Sequence, residues 1–290
     1  SASAELTTGI ENTIIGGLAG DALTDADGNV ALGAFALGTD TLGSRAVAIG
    51  HAALLTQNFT TATNNYNVGV GHSAGRAVTT GSLNTLVGGL SGTALTTGNN
   101  NTAIGYAALS TDTLGDRNVA VGVSALSTQS FTTTTDSYNT AVGYAAGTSI
   151  TTGIQNTLIG GLAGDALLAA GDNTAVGYLS LSTETGGQNN VAIGPRALRD
   201  QVNSSGNIYN TAVGSSAGAT ITTGIQNTIV GGLAGDSLTD ADYNVAIGYG
   251  ALTNDTLGSQ SVAVGYLTLA AQNFTTATDS FNTAVGMYAG

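Results

Sequence analysis

The sequence has no cysteine, no tryptophan and no lysine, and it has a single proline among 290 residues. Without cysteine no disulfide can stabilise the fold, although this absence fits an extracellular fibre as well as a cytosolic protein. Charged residues make up 8% of the chain, and the formal net charge of −13 makes nucleic acid or an anionic membrane surface an unfavourable partner. No apolar run is long enough for a membrane span, and no basic region followed by an apolar core begins the chain, so no signal peptide is predicted.

What the sequence has instead is a repeated motif, Asn-Val-Ala-Ile-Gly, which occurs at residues 190–194 and 244–248. Alignment on it gives sixteen copies, and steps of 17, 17, 21 and 17 residues form a larger unit of 72 residues, shortened once to 71. The 72-residue units start near residues 12, 84, 156 and 227. A fixed period of this kind is typical of a solenoid, so we expect residues 1–290 to form one continuous array of coils. The first residues of the motif copies are Asn12, Asn29, Ala46, Asn67, Asn84, Asn101, Asn118, Asn139, Asn156, Asn173, Asn190, Asn210, Asn227, Asn244, Ser261 and Asn282.

The two ends of the sequence fall inside coils. Residues 1–11 align with residues 216–226, and the last motif copy is followed by only a few residues. Because solenoids normally cap their terminal coils, we expect this chain to be a window on a longer one.

With the first motif residue as position zero, position three is Ile, Val or Leu in all sixteen copies, and position four is always Gly. A short β-branched run that ends in Gly predicts a strand closed by a turn, and we expect position three to be the core position. A change such as Ile104→Asp should then be severe.

Position eight reads Gly, Leu, Leu, Gly across each larger unit. We expect its Leu residues to contact another chain or to cover a flank of their own; examples are Leu37, Leu54, Leu109 and Leu126. The Asn residues at position zero should stack as amide ladders.

These motif strings, with short coils and small residues after the Gly, resemble the YadA-like head repeats of trimeric autotransporter adhesins and similar repeats in phage tail fibres and long surface fibre proteins. The resemblance covers the whole chain. It implies an all-β fold, a left-handed parallel β-roll of about sixteen coils of 17–21 residues, in which three chains pack side by side. The coils differ from the family's commonest head coil of about fourteen residues, and no neck, coiled-coil stalk or membrane anchor is visible.

Three patterns suggest ligands, and each has a simpler interpretation. His51 and His72 both occupy position five on successive coils, as two metal ligands could, yet tyrosine is common there and no third ligand repeats beside them. Residues 25–29 and 240–244 alternate Asp with Ala, as calcium loops do, but they lack the later Glu of an EF-hand, and a solvated acidic turn is the default interpretation. Threonine at position one alternates irregularly with valine, which disfavours an ice-binding face.

The third coil of each larger unit is longer by three or four residues, which cannot fit a stack of fixed cross-section. We expect the extra residues to bulge outward, with the aromatic residue before the next motif (Tyr66, Tyr138, Tyr209 or Phe281) at the base of the bulge. The bulge is a candidate for adhesion or glycan attachment, and a tolerated surface loop is the open alternative. The residues assigned to it are Asn58, Phe59, Thr60, Thr61, Phe131, Thr132, Thr133, Asn203, Ser204, Asn273, Phe274 and Thr275.

No nucleophile with its base, no phosphate loop and no repeated pair of acids is present in the pattern, so we expect neither an enzyme nor a cofactor. The sequence favours a structural segment of an extracellular homotrimeric fibre at a cell surface or virion, which could contact a host surface or glycan, does not bind nucleic acid and does not itself insert into a membrane. The alternative is a monomeric solenoid that binds a ligand or calcium.

Overall fold

The computed structural model describes residues 2–290, and these residues contain strands and turns but no helix. The chain is a parallel β-solenoid of about sixteen turns, as the sequence predicted. Residues 2–290 accordingly include no helix of the length and apolarity needed to cross a membrane. Ser1, the first residue of the terminal alignment, lies outside the described residues. The chain divides into two compact units, Ser1–Val142 and Gly143–Gly290.

Each unit contains three-residue motif strands and, beside the longer coils, two-residue strands. In the first unit the strands are β1 (Thr13–Ile15), β2 (Val30–Leu32), β3 (Gly43–Ser44), β4 (Val47–Ile49), β5 (Thr63–Asn64), β6 (Val68–Val70), β7 (Thr85–Val87), β8 (Thr102–Ile104), β9 (Gly115–Asp116), β10 (Val119–Val121), β11 (Thr135–Asp136) and β12 (Thr140–Val142). In the second unit they are β13 (Thr157–Ile159), β14 (Thr174–Val176), β15 (Val191–Ile193), β16 (Thr211–Val213), β17 (Thr228–Val230), β18 (Val245–Ile247), β19 (Gly258–Ser259), β20 (Val262–Val264), β21 (Thr278–Asp279) and β22 (Thr283–Val285).

Within each unit the motif strands pair in parallel and in chain order, with motif positions in register. Strand β2 pairs with β4 so that Ala31 lies beside Ala48 and Leu32 beside Ile49. The two-residue strands form separate parallel pairs, β3 with β5, β9 with β11 and β19 with β21. The register confirms that the motif is the stacking unit.

The orientation of the motif strand differs from the sequence-based expectation. Position two faces inward: Ala31, Ala103 and Leu158 have no exposed surface. Position three faces outward, and Ile104 is 39% exposed. The prediction that position three is the core was therefore wrong, because both faces of the strand are apolar and alternation separates the two faces without showing which of them the coil encloses.

The leucines of position eight are the large residues of the interior. Leu37, Leu54, Leu109 and Leu126 are completely buried in their own chain, so the prediction that they contact another chain was wrong, and they fill the coil instead. The first coil of each larger unit has a large residue at position two and glycine at position eight. At Gly92, for example, an added Cβ would lie 2.6 Å from Cδ2 of Leu86. Either position can therefore supply the large side chain that such a coil encloses.

Each coil turns through residues with left-handed backbone. Leu109 at position eight has φ of 52° and Arg45, just before a motif, has φ of 65°. This conformation costs an ordinary residue about 1–2 kcal/mol. Position four needs glycine because the coils stack closely: a Cβ on Gly105 would lie 2.5 Å from the carbonyl oxygen of Gly122 in the next coil. Close stacking thus explains why position four never varies.

The asparagines of position zero form the expected ladder. Asn84 Oδ1 accepts the backbone N–H of Asn101 at 3.0 Å, and Asn101 Nδ2 donates to the carbonyl of Gly115 at 2.9 Å. Where Ala46 interrupts the ladder, Asn65 Oδ1 accepts the backbone N–H of Asn67 instead, at 2.9 Å. A buried backbone donor therefore finds a partner even at this interruption.

Candidate functional site

The strongest surface feature is the outward side of the motif strands, which we call the strand face: positions one and three of every coil. Position one is Thr or Val and position three is Ile, Val or Leu, and in residues 2–290 none of these side chains is fully buried. No position of the face carries an acid or an arginine, although the net charge of the chain is −13. The solenoid therefore presents an uncharged, mainly apolar sheet surface to solvent.

A second feature, which the sequence analysis missed, is a buried acid–glutamine pair at the base of each long coil. Both Asp40 and Gln57 have no exposed surface. Gln57 Nε2 donates to Asp40 Oδ2 at 2.5 Å, and the backbone N–H groups of Gly43 and Phe59 donate to Asp40 Oδ1, both at 3.0 Å. Gln57 Oε1 in turn accepts from Nδ2 of Asn67 at 2.9 Å. The carboxylate is thus satisfied without a cation.

The same pair recurs once in every larger unit. Gln129 donates to Asp112 at 2.6 Å, Gln201 to Glu184 at 2.7 Å and Gln272 to Asp255 at 2.5 Å. Each pair lies at position eleven of two adjacent coils, where the other coils of the unit carry Leu, Val or Ile. The recurrence marks the pair as part of the repeat and not as an isolated polar defect. An acid followed seventeen residues later by Gln is the signal from which sequence reasoning could have found it.

The long-coil residues divide into a buried base and an exposed tip. Phe59 and Phe131 are 94% buried, so the structure leaves little of these two proposed contact residues on the surface. The rest of the set is exposed apart from Asn203 and Phe274, which are half-buried; the exposed residues are Asn58, Thr60, Thr61, Thr132, Thr133, Ser204, Asn273 and Thr275. The accessible part of the bulge is consequently a hydroxyl- and amide-bearing tip.

The residue that holds the base of the bulge is not the one predicted. Tyr66 is 47% exposed and Phe281 is 68% exposed, so these aromatics do not bury against it. Tyr66 instead accepts a hydrogen bond from the Arg45 guanidinium at 2.9 Å and lies beneath it. Phe59 and the acid–glutamine pair hold the base of the bulge, because Phe59 is buried and its backbone N–H donates to the buried Asp40 carboxylate.

The two histidines lie together, as predicted from their common position. Their rings stack with centroids 5.3 Å apart and planes 8° from parallel, and Phe35 packs edge-on against His51 at 5.8 Å. Over residues 2–290 there is no group of three His, Cys, Asp or Glu side chains arranged to hold a metal ion.

The acidic turns lie against the coil that precedes them. Asp27 Oδ1 accepts the backbone N–H of Ile10 at 2.9 Å, and Asp25 Oδ1 accepts the hydroxyl of Thr8 at 2.6 Å. Asp242 and Asp240 make the corresponding bonds to Ile225 and Thr223. These carboxylates are exposed or half-buried and accept hydrogen bonds from the adjacent coil.

In residues 2–290 two charged groups have shifted pKa values. Burial raises the pKa of Asp165, and a backbone hydrogen bond only partly opposes it. Its Oδ1 is buried without a hydrogen-bond partner in the described part of the chain. The pKa of Arg199 is raised because Asp200 accepts its hydrogen bonds. Neither group lies on the strand face.

Comparison of the chain with protein-family models, with curated proteins and with solved structures finds no match.

Proposed function

We propose that this chain is a structural segment, shaft or head, of an extracellular homotrimeric fibre whose copies associate through the strand face. The observation that carries the proposal is that face: in each unit it is the outer surface of a parallel sheet, and no position of it carries a charged residue. Parallel sheets in proteins are normally covered on both sides. An uncovered apolar patch of this extent is typical of an interaction surface.

The partner that best fits the face is a second copy of the same chain. The motif strands repeat in register along each unit, as in the pairing of Ala103 with Ala120, and a copy of the chain has the same spacing. Two chains of charge −13 repel each other, and this repulsion is smallest where neither surface carries an acid. The resemblance to YadA-like heads supports three copies, because that family packs three chains side by side.

The long-coil tips extend this proposal to adhesion. Exposed hydroxyl and amide groups, such as those of Thr60, Thr61 and Asn58, suit hydrogen bonding to a glycan or serve as sites of glycan attachment. They lie apart from positions one and three, so the tips stay accessible when the strand face is covered. We keep the sequence-based prediction that the segment is not an enzyme and acts at a cell surface or virion.

The mass in solution tests the association. Light scattering coupled to size-exclusion chromatography should give about three times the 28.3 kDa chain mass for the unmodified protein. Ile104→Asp should lower this mass to one chain while the circular dichroism of the sheet remains, because Ile104 faces outward and a charge there is buried only when chains associate. Thr60→Asp is the matched control at an exposed long-coil tip, and it should leave the mass unchanged.

A single-chain mass for the unmodified protein would refute the proposal. So would an Ile104→Asp variant that keeps the full mass, since the face would then not be the interface.

A further inference from the structure

We propose that a cleft on the first unit binds a small aromatic carboxylate. The cleft has a volume of about 350 Å³ and spans three successive coils. It lies at positions five, six and nine, beside the strand face and not on it. It is lined by Phe35, His51, Ala52, Leu55, His72, Ser73 and Arg76.

The cleft gathers basic side chains in a chain that has few of them. It contains both histidines of the sequence and one of its five arginines, while the net charge is −13. No carboxylate lines it. Within residues 2–290, the Arg76 guanidinium makes no ion pair and the rings of His51 and His72 make no hydrogen bonds. These unpartnered donors suit an anion, and arginine in particular binds a carboxylate through two parallel hydrogen bonds.

The other wall of the cleft is apolar and aromatic. Phe35 is 41% exposed, its ring packs edge-on to His51, and Ala52 and Leu55 continue the wall. A flat apolar group can lie on these side chains while its carboxylate meets Arg76 and the imidazoles. The net charge of the chain disfavours a polyanion, because a long anion would extend past the cleft into the field of the acidic residues. A small monoanion with an aryl group matches both walls.

The repeat itself does not require these residues. At the same positions in the second unit the chain has Leu179, Pro195, Ser215 and Ala219 where the cleft has Phe35, His51, His72 and Arg76. The coils stack equally well with either set. The cationic set is therefore a local addition to a fold that does not need it, and this points to a ligand.

Isothermal titration of the full 290-residue chain with 2-naphthoate tests the inference. At pH 6 we expect saturable binding of one naphthoate per chain, because the Arg76 guanidinium and the Phe35 ring line the same cleft and no acid in the lining opposes an anion. Arg76→Gln should reduce the affinity at least tenfold. Arg196→Gln is the matched control, since Arg196 is also exposed and free of an ion pair in the described chain, and it should bind as the unmodified protein does.

Two further probes separate the two walls. Neutral 2-naphthylmethanol should fail to bind, and inorganic phosphate should bind at least tenfold more weakly than naphthoate. Equal affinity for phosphate would overturn the role of the Phe35 wall, and binding of the alcohol would overturn the role of the cations. Absence of saturable naphthoate binding at pH 6, or an equal loss with Arg196→Gln, would overturn the site. The cleft lies within one chain, so the inference does not rest on the proposed trimer. The mass of each sample shows whether the chains associate, and this result is independent of whether naphthoate binds.

Discussion

Truncation of Leu109 tests whether position eight is the core of the solenoid. This leucine has no exposed surface and provides the large side chain of its coil, since position two of that coil is Ala103. Leucine-to-alanine changes at such sites cost about 2–5 kcal/mol, from lost burial and from the cavity left behind. Because the coils are thin and adjacent backbones are held in register, we expect little collapse and a loss of about 3 kcal/mol for Leu109→Ala.

The backbone at Leu109 makes the comparison with glycine more informative. Glycine is usually less stable than alanine inside regular structure by about 0.5–1 kcal/mol. At Leu109 the φ of 52° costs a residue with a Cβ about 1–2 kcal/mol, which glycine avoids. Leu109→Gly should therefore be as stable as Leu109→Ala, or about 1 kcal/mol more stable. Ala103→Gly, at a buried strand position of the same coil, is the control and should lose about 1 kcal/mol.

Equilibrium urea denaturation followed by circular dichroism measures all four proteins, at one protein concentration because association contributes to the midpoint. The slope of each transition must be compared as well, since repeat arrays can lose two-state behaviour. An unchanged midpoint for Leu109→Ala would show that this side chain is not in the core. A glycine variant less stable than the alanine variant by more than about 1 kcal/mol would show that the left-handed backbone is not under strain.

Two further predictions concern buried carboxylates. The pKa of Asp165 is raised, so the contribution of this carboxyl to stability is present at low pH and is lost as the pH rises through the folded-state pKa. Asp165→Asn should therefore raise the melting midpoint at pH 7 and have little effect at pH 3. Asp236→Asn, at the same position of a later unit, should leave the midpoint at pH 7 nearly unchanged, because Asp236 accepts a 2.6 Å hydrogen bond from Thr253 that the amide oxygen of Asn can also accept; equal effects at both sites would contradict this reasoning. Gln57→Ala leaves the buried Asp40 with fewer hydrogen-bond donors, so we expect the free energy of unfolding to fall by about 1–3 kcal/mol. We also expect faster proteolysis of the loop at residues 60–62. No change in either measurement would show that the pair is not needed.

The period of the motif was sufficient to predict the fold. A fixed spacing with glycine at position four leaves few alternatives to a stack of coils, and the asparagine ladder follows from the same spacing. The orientation of the strand could not be read from the pattern. Alternation with period two separates two faces, but Ala103 and Ile104 are both apolar, and the rule that the larger residue is buried fails where the interior is one side chain thick. The error is informative, since a second apolar face is what an associating sheet needs.

The buried acids escaped the sequence analysis for a different reason. Asp40 and Glu184 stand among threonines and glycines, in a segment that has the composition of an exposed turn. Only the partner seventeen residues later, Gln57 or Gln201, distinguishes such an acid from a surface one. That partner becomes visible once the coils are stacked, because it then lies directly beside the acid.

The acid–glutamine pair recurs with the period of the larger unit. A pair of this kind occupies two adjacent coils, and a coil with an apolar residue at position eleven lies on either side, such as Leu23 before Asp40 and Val78 after Gln57. A buried carboxylate must have all its hydrogen bonds satisfied, so two such acids on neighbouring coils would compete for donors and repel each other. In this chain two apolar coils separate successive pairs, so that the pair recurs once in every four coils. Since the pair binds the first residues of the long loop, the same chemistry places one exposed tip in every four coils, about 19 Å apart at ordinary strand spacing.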